Sequence, residues 1–325
     1  MKDYLFNLIK KIVKPIILFT RLFRLEYLWI IRCLKYNNWN KQKNTELYNL
    51  LIICHVLEKG LTMPNRRLGF GYDRVREVLS HCNHCIDKYG VNCIEIQAAL
   101  NDLYEYSMVH KESNFELPKD IQNGLELILK RRSSKSLVNS YQFTNTSFFK
   151  PYSCFTEFAY SRHTCRHYSE KPVDLKTIGK CIKVAQTAPS ACNRQSTRVY
   201  VIADENMKTI VRQYQNGSRG FGEYADKFLL ITFDQHAWDI RQERSGFIDA
   251  GIFTMNLLYA LHEEHIAACT LNAHFSSKQL YNFYNEIPIN RNEMPVLFIA
   301  IGYAPESFSI ARSERKNTSE IYTII

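Results

Sequence analysis

Three short runs of apolar and β-branched residues do most to limit what this chain can become: 197–203 (TRVYVIA), 228–233 (FLLITF) and 295–302 (PVLFIAIG). Each is short, rich in branched side chains and bounded by polar residues, so each reads as a buried strand. Between the second and third lies 247–264, where Ile248, Ile252, Met255, Leu258 and Leu261 recur at spacings of three and four and predict a long helix. The first half shows helical periodicity only. Leu47, Leu50, Leu51, Cys54 and Leu57 mark a helix over 45–59, with Gly60 as its stop. Val75, Val78, Leu79, Cys82, Cys85, Ile86 and Tyr89 mark a second, and further helices are expected over 92–109 and 120–130. An α+β fold follows, all-helical at first and with strands and helices after.

Residues 131–154 are rich in Ser, Asn and Thr without a sustained period and read as a linker. The expected organisation is a basic segment over 1–40, a helical domain over 41–130, that linker, and a second domain over 155–325. At 325 residues the chain has room for two domains.

Net charge is +10, and its placement matters more than its size. Within 1–40, eight Lys and Arg face only Asp3 and Glu26, so six of the ten net charges lie there. Leu5, Leu8, Ile12, Ile16, Phe19, Phe23, Tyr27, Ile30 and Leu34 form an apolar stripe through the same segment. It lacks the roughly 18–20 uncharged residues needed to span a bilayer. Two readings fit: a helix lying on an anionic membrane, or one packed on protein. The remainder is near charge balance, which argues against nucleic acid as a partner. Ten cysteines without a regular disulfide spacing, and no secretory cleavage pattern, point to the cytoplasm, with peripheral attachment to the inner face of the membrane as the option.

Two histidine-bearing clusters invite a metal. His81, Cys82, His84 and Cys85 offer ligands at short spacing, but both cysteines fall on the apolar stripe and no second pair matches them. His262 and His265 read as a solvated helix end. No metal is expected. The loop after Gly60 carries Pro64, Arg66, Arg67, Gly69 and Gly71. It either closes over an anion or joins two helices with its arginines in solvent. With His55 and Glu58, one helical turn apart, Arg66 and Arg67 are the candidates for substrate selection.

Arg162, Thr164 and Arg166 precede a helical stripe (Leu175, Ile178, Cys181, Ile182, Ala185), which ends at Pro189 and a polar loop, Ser190, Ala191, Asn193 and Gln195. Guanidinium forks beside a hydroxyl suit a phosphate, and the loop's amides suit the edge of a flat heteroaromatic ring. Surface ion pairs are the competing reading.

The order R-x-[ST]-x-R-x-[FY], a helix, then P-S-x-x-N-x-Q resembles the nitroreductase family of FMN-dependent oxidoreductases, over about residues 155–325. The resemblance implies a nitroreductase-like mixed sheet flanked by helices, and a homodimer. It implies FMN, NADH or NADPH as electron donor, and ping-pong hydride transfer to a small organic substrate, with the flavin rather than a side chain carrying the chemistry. Arg162, His163, Thr164 and Arg315 would then lie at the phosphate, Arg312 standing second to Arg315. Arg166 would reach the pyrimidine side of the ring. Pro189, Ser190, Ala191, Asn193 and Gln195 would border the ring from the opposite subunit, and Asn272 and Ala273 would lie near its N5. Two departures stand out: Ser196 and Thr197 replace the usual Pro and aromatic residue, and Ala273 replaces a common Gly. They leave an alternative, a flavin-free scaffold acting as a membrane-associated binding protein.

Overall fold

The apolar stripes of the first half converge on one core. In the computed structural model, which describes residues 43–132, 140–238 and 242–325 with five positions between 16 and 23, four helices share it. They are α1 (Lys43–Leu61), α2 (Tyr72–Tyr89), α3 (Ile94–Glu112) and α4 (Lys119–Leu129). Leu50, Leu57, Val78, Cys82, Leu103 and Ile121 are among its buried side chains. Burial pushes the Cys82 thiol up to about 12, as befits a small apolar packing group. Gly60 does not stop α1. It lies in the last turn, where an added Cβ would come within 2.2 Å of the Phe70 ring, so its role is close packing. Most of the basic segment 1–40, and so the expectation resting on it, lies outside the described residues. No helix among the described residues is long and apolar enough to cross a membrane.

Residues 140–154, expected as the end of a linker, are folded. They carry β1 (Ser140–Thr144) and the single turn α5 (Asn145–Phe148). β1 pairs antiparallel with β6 (Ser307–Ala311), and Phe148 and Phe149 are buried against Phe308. The partner strand lies more than 160 residues away, so local composition carries no sign of it. After α6 (Phe155–Ser161) and α7 (Leu175–Ala185), the main sheet is built from β2 (Thr197–Ile202), β3 (Lys227–Asp234), β4 (Ile266–Asn272) and β5 (Glu293–Tyr303). Helices α8 (Glu205–Tyr214), α9 (Glu243–Glu263) and α10 (Ser277–Glu286) connect them.

Strand order is β2-β3-β5-β4, and every pairing among these strands is antiparallel, where a mixed sheet was expected. The reason is topological: β3 and β4 run parallel, joined through α9, but β5 is inserted between them. Both sheet faces are covered. Leu229, Ile231, Ile299 and Ile301 face α7 and α9; Phe228, Leu230, Phe298 and Ala300 face α8 and α10. This is why the strands read as continuous apolar runs. On α9 the buried stripe is Ala250, Phe253, Leu257 and Leu261, whereas Ile248 and Ile252 from the expected stripe are exposed. The helix is apolar on more than one side, so spacing alone does not show which side is buried.

Candidate cofactor site

Past the C-terminal end of α6 the chain opens into an extended stretch at Arg162 (φ −71°, ψ 114°). The Cys165 N–H donates to the Ala268 carbonyl at 3.1 Å, and the Ser169 N–H to Tyr303 at 2.7 Å. The Tyr168 hydroxyl donates to the Ala300 carbonyl at 3.0 Å. Residues 162–169 thus lie across β4 and β5, and alternate residues of such a stretch face the same way. On that pattern Arg162, Thr164 and Arg166 share one side of the stretch, with Arg162 and Arg166 at the two ends of the row.

Charge at the Arg162 end is one-sided. Burial lowers the Arg162 pKa; the Tyr259 hydroxyl opposes this and Arg315 adds to it. Burial, then Arg162 and Arg315, lowers His163. His262, expected as a solvated helix end, is buried among Phe148, Phe149 and Phe158 and shares a hydrogen bond with the Ser161 hydroxyl at 2.8 Å. Burial, Arg162, His163 and His265 bring its pKa down to about 4. Arg315 is exposed and donates to the Ser313 carbonyl at 2.8 Å, leaving most of its fork available. Arg312 is engaged elsewhere: its Nε pairs with Glu314 at 2.9 Å. Thr164 is half-buried on the same stretch.

At the other end, Arg166 is only 9% exposed, and its Nε has no hydrogen-bond partner among the described residues. A buried guanidinium N–H without a partner is costly and marks a place where a ligand acceptor belongs. The guanidinium lies 5.9 Å from the centre of the Phe221 ring. Asn272, at the end of β4, accepts from Gln215 Nε2 at 2.7 Å through its carbonyl, and its side-chain oxygen accepts the His274 N–H at 3.1 Å. Ala273 packs into the core beside them.

The polar loop lies elsewhere. The Ala191 N–H donates to Asp249 Oδ2 at 3.0 Å, the Gln195 N–H to Ser190 Oγ at 3.1 Å, and Gln195 Nε2 to Asn193 Oδ1 at 3.0 Å. Cys192, Asn193 and Gln195 all hold left-handed φ values of 50–54°, a strained turn for non-glycine residues. Pro189, Ser190 and Gln195 line a cavity of about 280 Å³ with Asp249 and Phe253. Asp249 stands in the first turns of α9, while the Arg162 cluster gathers at Tyr259 and His262. Ten residues of helix put the two about 15 Å apart. Ser196, where Pro is usual, is buried and accepts the Trp238 indole N–H at 3.2 Å.

The helical half reaches the site. Glu58 is buried: one oxygen accepts from the Ser313 N–H and hydroxyl, both at 3.0 Å, and the other lies 3.1 Å from His55 Nδ1. Lys59 donates to the Gly217 carbonyl at 3.2 Å, and His167 Nε2 lies 2.8 Å from the Thr62 carbonyl. Arg66 and Arg67 are exposed and line a groove with Arg219 and Tyr224. The place of Lys59 depends on how α1 docks, which no local pattern shows.

Residues 159–229 match the family model described as Nitroreductase family. The chain is similar to an iodotyrosine deiodinase of Haliscomenobacter hydrossis, 26% identical over 199 residues, covering 52% of this chain and 87% of that one. It also resembles the crystal structure of a nitroreductase family protein from Streptococcus pneumoniae (22% identity, TM-score 0.45, 53% of this chain, 100% of that one). A nitroreductase-like protein from Streptococcus mutans is similar too (16% identity, TM-score 0.46, 53% and 98%).

Proposed function

With its C-terminal half nitroreductase-like, and the protein an oxidoreductase of that type, we propose that it holds FMN and uses NADH or NADPH to reduce a small organic substrate. The observation that carries this reading is the unbalanced charge at the C-terminal end of α9. Arg315 lies within electrostatic reach of Arg162 and His163, and no carboxylate is among the groups that perturb Arg162 or His163. Such a cluster favours an anion, and a phosphate monoester matches it in charge and acceptor count. Arg162 and Thr164 would donate to the phosphate oxygens, and Arg315 would close over them from the tail. Arg166 would give its unsatisfied Nε–H to the ring.

When bound, the flavin supplies the two-electron chemistry. The protein's residues position it, balance its charge and leave one face open to donor and substrate in turn. Ser190, Asn193 and Gln195 would come from a second copy of the chain. Phe155, Ile248 and Ile252, exposed at 68%, 62% and 41%, supply an apolar surface on α6 and α9 for that contact. The flavin-free scaffold draws its support from the altered loop; Ser196, bonded to Trp238, has a packing role that needs no loss of flavin. Steady-state kinetics of the FMN-loaded protein test the reading. Varying NADH or NADPH against a nitroaromatic or quinone acceptor should give parallel double-reciprocal lines. Turnover with neither donor across a broad acceptor panel would contradict it.

A further inference from the structure

The last turn of α1 carries a cation into the site from the helical half. Lys59 Nζ donates to the Gly217 carbonyl at 3.2 Å. Gly217 belongs to a turn whose start, Gln215, is tied to the Asn272 carbonyl at 2.7 Å. Three residues past Lys59, the Thr62 carbonyl lies 2.8 Å from His167 Nε2, and His167 follows Arg166 in the chain. Lys59 is thereby held between the Arg166 stretch and the end of β4. It is half-buried, and burial followed by the charge of Arg166 lowers its pKa; Cys269 opposes this and Arg219 adds to it. Among the described residues no carboxylate pairs with Lys59 or Arg166, and Arg166, nine-tenths buried, keeps an N–H without a partner. Two crowded cations repel, and burial adds to the cost. The arrangement becomes favourable when an anionic group lies against both.

We propose that Lys59 is a second cation of the flavin site, and that with Arg166 it makes the protein bind reduced FMN more tightly than oxidised FMN. The inference rests on the FMN reading above. Reduction by NADH or NADPH moves a hydride, two electrons with one proton, onto the ring and releases NAD⁺ or NADP⁺. The ring gains one negative charge, and a neighbouring cation favours that state. A unit charge acting across roughly 10 Å at an effective dielectric near 20 changes the ratio of the two affinities about tenfold. For a two-electron couple that tenfold is about 30 mV.

The test is the midpoint potential of FMN in the full-length protein, by reductive titration against a reference dye. Lys59→Met should titrate about 30 mV more negative than wild type while oxidised FMN affinity stays within about threefold. Lys59→Arg should restore the wild-type value, and Lys59→Gln repeats the neutral test should Met disturb the turn. Neutral variants at the wild-type potential, or an Arg variant as negative as the Met variant, would overturn the proposal while leaving the FMN reading intact. Wild-type protein that cannot be loaded with FMN would overturn both.

Discussion

Replacing Glu58 with alanine should weaken folding and cofactor binding together. Its carboxylate holds Ser313 through two hydrogen bonds of 3.0 Å. Ser313 sits at φ 50°, a left-handed conformation that costs a residue with a Cβ about 1–2 kcal/mol. Glu58 therefore fixes a strained residue between Arg312 and Arg315. Two hydrogen bonds to a charged acceptor contribute about 1.5–3 kcal/mol each, and relief from burying the carboxylate offsets part of that, leaving a net loss of about 2–4 kcal/mol. With the tail no longer held, Arg315 must be ordered at the moment of binding, and FMN affinity should fall about tenfold.

Urea unfolding of the FMN-free protein and FMN fluorescence titration read the two effects. Burial raises the Glu58 pKa, but the hydrogen bonds from His55 and Ser313 outweigh it and hold the carboxyl below its ordinary 4.5. A depressed carboxylate contributes stability above its unfolded pKa and loses it as pH falls through the folded value. The gap between wild type and variant should therefore narrow below about pH 4.5. A variant that unfolds within about 0.5 kcal/mol of wild type at pH 7 and binds FMN equally well would refute the reasoning.

His262 gives a second pH effect. Its folded pKa of about 4 lies below the ordinary 6.5, so the unfolded chain takes up the proton first. Stability of the FMN-free protein should fall from about pH 6.5 to 4, by about 3 kcal/mol, and level off below. His262→Gln, which keeps a partner for Ser161, should flatten that slope in urea midpoints. Gly60→Ala would place a methyl 2.2 Å from the Phe70 ring, so thermal unfolding should show a loss of about 1–3 kcal/mol. Arg162→Ala should weaken FMN by about 100-fold, whereas Arg312→Ala, already spent on Glu314, should change it by less than about threefold; equal losses in calorimetry would count against the phosphate assignment. Anionic vesicles should float the full chain but not one lacking 1–40; equal flotation would remove the membrane reading of that segment.

How much could be read from residues alone follows from the range of the interactions. The helices of the first half and three of the four main strands were legible because their apolar periods are local, as with Val75, Val78 and Cys82. β1 was not, since Tyr141 and Phe143 make sense only opposite Ile310 and Phe308. The outward face of α9 could not be told from its buried face, because Ile248 is as apolar as Phe253. At the site, Arg162, Thr164 and Arg166 were legible through spacing and resemblance. The contacts of Lys59 and Glu58 with the second half were not, because their partners Gly217 and Ser313 lie about 160 and 255 residues away. The burial of His262 was hidden likewise, its aromatic cage arriving from Phe148, Phe149 and Phe158.

Whether this chain holds FMN is read most directly from the visible absorption spectrum of the purified full-length protein, with mass identification of the chromophore released on denaturation. Flavin bands and released FMN are expected, near one per chain once FMN is supplied. A colourless protein that cannot be loaded with FMN would contradict the FMN reading.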